Sequence, residues 1–210
     1  MKILAVGRNY AKHVKEMGSA PVVGPAAGGS PIWFWKPQSA VIADGEPIVI
    51  PKGIGSVHHE VELAVRLGKR VRRASAAEAL KAVDGLTVAN DVTARDLQEA
   101  AKKGGLPWDQ AKGYDTFLPL GAWVPVAGRD LQAIRLKLWV DDALKQDAST
   151  ADMTWKVGEL LAHASSWTTL EPGDVLLTGT PEGVGPLIAG QRVRCEAVGV
   201  AKLSNPVVAG

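Results

Sequence analysis

The sequence predicts a mixed, largely antiparallel, β-rich fold of the α+β class with a few short helices. Three observations carry this. Short apolar segments of strand length recur along the chain, several with alternating apolar and polar residues. Helical spacing with start or stop signals occurs at only a few places. Strands and helices do not follow one another in the βαβ rhythm of a parallel sheet.

Residues 2–6 form a short apolar run that reads as a buried strand, and 9–17 has the polar character of a helix or ordered lid. Residues 21–31 are rich in Gly, Ala and Pro and read as a mobile connection. The chain therefore divides into an N-terminal strand and lid segment, 1–30, and a main body, 31–210. Strand-like pieces follow at 31–35, 47–50 and 57–67, the last ending at Gly68. Ser75-Ala76-Ala77-Glu78 has the spacing of a capping box, so a helix starts there and runs to about 83. Residues 86–90 read as strand, Thr93-Ala94-Arg95-Asp96 opens another helix, and Gly104-Gly105 stops it. Strands are expected at 121–125 and at 134–140, where Ile134, Leu136, Leu138 and Val140 alternate with Arg135, Lys137 and Trp139. Asp141-Asp142 then makes a hairpin turn. Helical spacing returns at 154–164 through Val157, Leu160 and Leu161, before strands at 174–178, 191–196 and 198–203.

At 210 residues, with 46% hydrophobic and 22% charged content, the chain is long enough for one substantial core. Its 24 basic and 22 acidic residues are spread evenly, so no electrostatic stripe points to nucleic acid or an anionic membrane. No window approaches a membrane span, and the N-terminal apolar run is too short for a signal peptide. Cys195 is the only cysteine, which excludes an intrachain disulfide and a cysteine metal cluster and fits a reducing, cytoplasmic setting. It reads as a small core residue. The seven tryptophans either fill the core or mark an interface.

Chemistry concentrates first in Val57-His58-His59-Glu60-Val61-Glu62-Leu63-Ala64-Val65. In a strand, Val57, His59, Val61, Leu63 and Val65 face a core while His58, Glu60, Glu62 and Ala64 share the other side. Two acids about 6.6 Å apart on one face can converge on an oxygen-ligated cation such as Mg²⁺, Mn²⁺ or Ca²⁺, whereas zinc favours nitrogen or sulfur. An edge strand with a solvated acidic face is the plain alternative. Asp91 supplies a third acid where a strand gives way to a helix, a place where side chains project into clefts; a helix cap is the alternative. His13 and Glu16, three apart on a helix, are neighbours, either as a surface pair or as an imidazole oriented to deprotonate water. The loop Thr178-Gly179-Thr180-Pro181-Glu182-Gly183-Val184-Gly185-Pro186 lets backbone N–H groups approach an anion, or is simply a turn. Lys112 is one more cation near aromatic residues.

Six stretches in this order, GRNYAKHVKEMGSA, FWKPQSA, GSVHHEVELAV, NDVTARDLQ, GLPWDQAKGYD and GDVLLTGTPEGVGP, resemble the fumarylacetoacetate hydrolase family, in particular its small acylpyruvase-like branch. The resemblance implies the mixed β-sandwich roll of the fumarylacetoacetase C-terminal domain, usually assembled as a homodimer. It implies Mg²⁺ or Mn²⁺, with Ca²⁺ as a substitute, on Glu60, Glu62 and Asp91, and a water-activating dyad of His13 and Glu16. Arg95, Gln98, Lys112 and Thr180 match substrate-contacting positions, with Lys36 of the Lys-Pro motif beside them; Lys112 and Arg95 would pair with a distal carboxylate or a developing oxyanion. The implied activity is on 2-oxo acids: cleavage of acylpyruvates, or decarboxylation or tautomerisation of oxaloacetate. The alternatives are 2-hydroxyhepta-2,4-diene-1,7-dioate isomerisation and a non-catalytic, metal-dependent binding role. The full-length fumarylacetoacetase has a further N-terminal domain and a further aspartate ligand with no counterpart read in this chain, which argues against fumarylacetoacetate itself as substrate.

Overall fold

Alternation along the 61–67 segment organises the architecture. In the computed structural model, which describes residues 1–20, 22–126 and 128–210, Val61, Leu63, Val65 and Leu67 enter one apolar core and Ala64 enters a second on the opposite face. The neighbouring strand Ile3–Gly7 splits likewise, Leu4 and Val6 to the first core and Ile3 and Ala5 to the second. Strands covered on both faces belong inside a sheet. The six-stranded sheet runs 124–125, 83–90, 61–67, 175–177, 3–7, 32–36, and only the pair Ile3–Gly7 with Val175–Leu177 is parallel.

A five-stranded sheet closes the first core, in the order 143–149, 135–140, 192–197, 201–209, 48–50, with only the last pair parallel. Its Leu136, Leu138, Val193, Cys195 and Leu203 pack with Leu63, Val65, Leu86 and Val88. Cys195 is thus a core residue, and burial pushes its thiol pKa up. Two smaller groups complete the β structure: 57–59 between 185–186 and 93–94, and 41–42 beside 118–119. The described residues form five short α-helices: α1 (Ala11–Glu16), α2 (Ala76–Leu80), α3 (Arg95–Gly104), α4 (Asp109–Lys112) and α5 (Val157–Trp167). The fold is mostly β with mixed sheets, as the alternation predicts. Among the described residues no helix is long and apolar enough to cross a membrane.

Local signals behave as their chemistry requires. Ser75 and Glu78 form the reciprocal capping box at the start of α2. Gly105 stops α3 in the left-handed conformation, φ 64°. Val140 stands opposite Ala143, so Asp141-Asp142 is a two-residue hairpin turn with Asp141 at φ 53°.

Several boundaries differ from expectation. α2 ends at Leu80, because the following strand starts at Val83 rather than 86. Of 121–125 only Val124–Pro125 pairs in the sheet. The last strand is Ala201–Ala209 rather than 198–203, since Val200 N donates to Ala197 O in a turn with Gly199 at φ 74°. The expected connection 21–31 holds a 3-10 turn at Pro25–Ala27, and Trp155 Nε1 donates to Val23 O at 3.2 Å. Pro21, its first residue, lies outside the described residues.

Candidate functional site

The expected strand 57–67 is two strands, Val57–His59 and Val61–Leu67, in different sheets. At the break, Glu60 N donates to Asn90 Oδ1 at 2.9 Å, Asp91 N donates to Glu60 O at 2.8 Å, and Val61 N donates to Gln146 Oε1 at 3.0 Å. Distant side chains thus satisfy backbone groups that a continuous ladder would have paired. The break preserves the shared acidic face. Glu60, Glu62 and Asp91 are all buried, and each offers an oxygen within 4.8 Å of the others. Both plain alternatives fail for these acids, since Glu62 lies on an interior strand, and the helix after Asp91 starts from Ala94 while the Asp91 carboxylate accepts from Lys36 and Lys112.

Three buried cations answer the three carboxylates. Lys112 Nζ donates to Glu60 Oε2 at 2.7 Å and to Asp91 Oδ2 at 2.6 Å. Arg95 pairs with Glu60 and also donates to Gln98 Oε1. Lys36 Nζ reaches Asp91 Oδ1 at 2.7 Å. Burial opposes every one of these charges, so the sign of each shift reports the partners. For Lys112, burial is outweighed by Asp91 and Glu60 together, and its pKa is raised. For Lys36, burial wins over Asp91, with Lys112 adding repulsion, and its pKa is lowered. Glu60 is held well below the usual carboxylate range by Lys112 and Arg95 against burial.

Glu62 is the exception. Burial and then the Asp91 charge push its pKa well up, and its hydrogen bond comes from a backbone N–H, that of Gly179 at 2.7 Å. A hard, oxygen-only donor set with one acid lacking a cation suits a divalent ion of the Mg²⁺, Mn²⁺ or Ca²⁺ type. The residues present therefore fit a metal centre. Gly179 has φ 91°, and a Cβ there would stand 2.7 Å from Asn9 Cβ, so glycine is required for this N–H to reach the acid.

The triad forms the floor of a cleft walled by His13, Arg95, Gln98, Lys112 and Thr180 together with Arg8, Met17, Phe34 and Trp108. His13 on α1 is buried, with Nδ1 3.3 Å from Glu16 Oε2. Burial lowers its pKa more than Glu60 and Glu16 raise it. Glu16 in turn accepts from Gly183 N at 3.0 Å. The anions that the glycine-rich loop approaches are thus Glu62 and Glu16, acids of the chain itself. Thr180 Oγ1 accepts from Gln146 Nε2 at 2.9 Å. Lys36 lies behind Asp91 and does not line the cleft.

Asn90, Gln146 and Asn9 support the site without any mark in the sequence pattern. Asn9, fully buried, binds Trp155 N and O and Thr178 O, which fixes the end of the first strand against the 178–180 loop. Each is a polar residue buried at a strand end or within a half-exposed strand, and apolar periodicity carries no signal for such positions.

A mixed β roll that brings three buried carboxylates to the floor of a cleft defines a metal-site enzyme. Residues 2–208 match the family described as fumarylacetoacetate (FAA) hydrolase, C-terminal, and the chain belongs to that family. It is 45% identical over 194 residues to the oxaloacetate tautomerase YcgM of Escherichia coli (strain K12), covering 91% of this chain and 86% of that protein. It is 43% identical over 201 residues to the mitochondrial oxaloacetate decarboxylase of Dictyostelium discoideum, covering 95% and 89%. Among solved structures it is similar to fumarylpyruvate hydrolase from Pseudomonas aeruginosa in complex with Mn²⁺ and pyruvate, with a TM-score of 0.92, 33% identity and coverage of 100% and 90%.

Proposed function

We propose that this protein is a Mg²⁺- or Mn²⁺-dependent enzyme of short 2-oxo acids that tautomerises or decarboxylates oxaloacetate and cleaves acylpyruvates. The observation that carries this reading is the buried Glu60, Glu62 and Asp91 triad facing a cleft rich in cations. Relatives named for oxaloacetate chemistry and a structural neighbour holding Mn²⁺ and pyruvate support it.

When bound at the triad, the ion supplies a Lewis acid for the negative charge that develops at the 2-oxo group. Lys112, held between Glu60 and Asp91 on the lining of the cleft, would place its ammonium charge beside the oxyanion that develops on the substrate. Arg95, braced by Gln98, orients the substrate from one wall, and Thr180 from the other. His13 uses Nδ1 toward Glu16, which leaves Nε2 to take a proton from water. For an acylpyruvate, that water attacks the distal acyl carbonyl, the C3–C4 bond breaks, and pyruvate departs as its enolate before protonation at C3. For oxaloacetate, carbon dioxide leaves without the water, and tautomerisation moves only a proton. Within the 1–30 segment, whose strand Ile3–Gly7 is built into the sheet of the 31–210 body, α1 acts as the lid, in a homodimer working in the cytoplasm.

A panel of acetylpyruvate, oxaloacetate and 2-hydroxyhepta-2,4-diene-1,7-dioate tests the reading by pyruvate release and by the ultraviolet absorbance of the enol, with Mg²⁺ and with EDTA. The expected result is metal-dependent turnover of acetylpyruvate or oxaloacetate. Turnover of none of the three would leave only a binding role.

A further inference from the structure

The cleft's basic groups are nearly all spoken for. Arg95 and Lys112 are held by Glu60, Lys112 also by Asp91, Lys102 by Glu99 at 2.5 Å, and His13 by Glu16. Arg8 is the remaining cation on the lining, and its guanidinium makes no hydrogen bond or ion pair with any described residue. It is nevertheless held in place. Its backbone is left-handed, φ 62°, a conformation uncommon for a residue with a Cβ. Its guanidinium carbon lies 5.6 Å from the centroid of the Trp108 ring, within cation–π range. Trp108 is itself seated against Gly7, where any Cβ would collide with the indole, and packs on Phe34 with centroids 5.9 Å apart. A small residue, an aromatic platform and a strained backbone thus present an unpaired, planar cation to the cleft.

From this geometry we infer that Arg8 is a specificity residue that binds the far carboxylate of a 2-oxo dicarboxylate, making the cleft selective for dianions over singly charged 2-oxo acids. The inference rests on reading the cleft as a 2-oxo acid site. A guanidinium on an aromatic face keeps its donor edge free for bidentate contact with a carboxylate. Arg95 and Lys112 are less suited to this task, because each is already committed to a floor carboxylate.

Arg8→Asn tests it, since asparagine tolerates the left-handed backbone while removing the charge. Calorimetric titration of the Mg²⁺-loaded protein would compare 2-oxoglutarate with 2-oxopentanoate, a pair matched in length that differs in the terminal carboxylate. The wild type is expected to prefer 2-oxoglutarate by about 10- to 100-fold, the worth of one charge-assisted hydrogen-bonded pair. Arg8→Asn should abolish the preference and leave 2-oxopentanoate within about twofold. Arg8→Lys should keep part of it, which a folding defect would not do. A wild type without preference, binding of neither acid included, overturns the assignment, as does a variant that keeps the preference or weakens both acids equally. Because this readout needs no turnover, it separates from the function assay: an inactive wild type that still selects the dianion sinks the reaction and spares Arg8.

Discussion

The floor and the rim of the cleft are built on different principles. At and around the floor, Glu60, Glu62 and Asp91 and the cations that back or flank them, Lys36, Arg95 and Lys112, are all buried, and three carboxylates meet three cations. On the rim, α1 meets the 178–186 loop through exposed or half-exposed groups, Glu16 to Gly183 N at 3.0 Å and Lys12 to Glu182 at 3.5 Å, and within α1 the buried His13 lies 3.3 Å from Glu16. Buried charges are costly to leave unpaired, so a floor of this kind admits little variation. Exposed pairs contribute little, so the rim can change at small cost. On the proposed reading, the contrast lets one floor serve hydrolysis, decarboxylation and tautomerisation. The charge that all three reactions generate is handled below, and the water or the far end of the substrate is chosen above.

The sharpest way to break this contrast is Glu60→Gln. It strips a carboxylate from both Arg95 and Lys112 and is expected to destabilise the metal-free protein by about 3–5 kcal/mol, read by denaturant unfolding in EDTA. A loss near zero would mean that the floor is not held by its charge pairing.

A rim change should reach the chemistry and not the fold. His13→Ala is expected to lower acylpyruvate hydrolysis about 100- to 10,000-fold while sparing oxaloacetate decarboxylation. Equal loss of both activities would place His13 in general proton transfer or closure instead. The same residue sets a smaller effect with pH. Burial holds its folded pKa below the ordinary 6.5, so its contribution to stability is full above pH 6.5 and is lost as pH falls through the lower folded value. Hydrolysis should follow, staying level down to 6.5 and declining only below it. A decline centred above 6.5 would contradict a buried, neutral base.

Much of the floor was legible in the sequence, because period-2 alternation places Glu60 and Glu62 on one face wherever the strand goes. The break at Glu60 was not legible. The alternation runs through it undisturbed, and what opens the ladder is Asn90 and Gln146, 30 and 85 positions from the backbone groups they bind. The strand Ala143–Ser149 was invisible for a related reason. It is mostly exposed or half-exposed, and its one buried residue is Gln146, a polar side chain that serves the site rather than the core. The final strand runs on through Pro206, which normally argues against a strand interior; its pairing with Ile48–Ile50 starts only at Val207, so the missing N–H is not needed there. Of the rim, spacing supplied the His13 and Glu16 pair. That Glu16 also answers Gly183, 167 residues away, depends on how the sheet folds back.

Glu62 offers the most direct test of the central claim, that the triad is a cation site built into an otherwise balanced floor. It is the one acid of the three without a cation partner, so Glu62→Gln removes a ligand without orphaning a charge. Electron paramagnetic resonance titration with Mn²⁺, alongside unfolding in EDTA, would separate ligation from folding. The expected result is one Mn²⁺ site per chain that weakens by about 100-fold or more in Glu62→Gln, with metal-free stability unchanged or raised. Unaltered Mn²⁺ affinity in that variant would contradict the account.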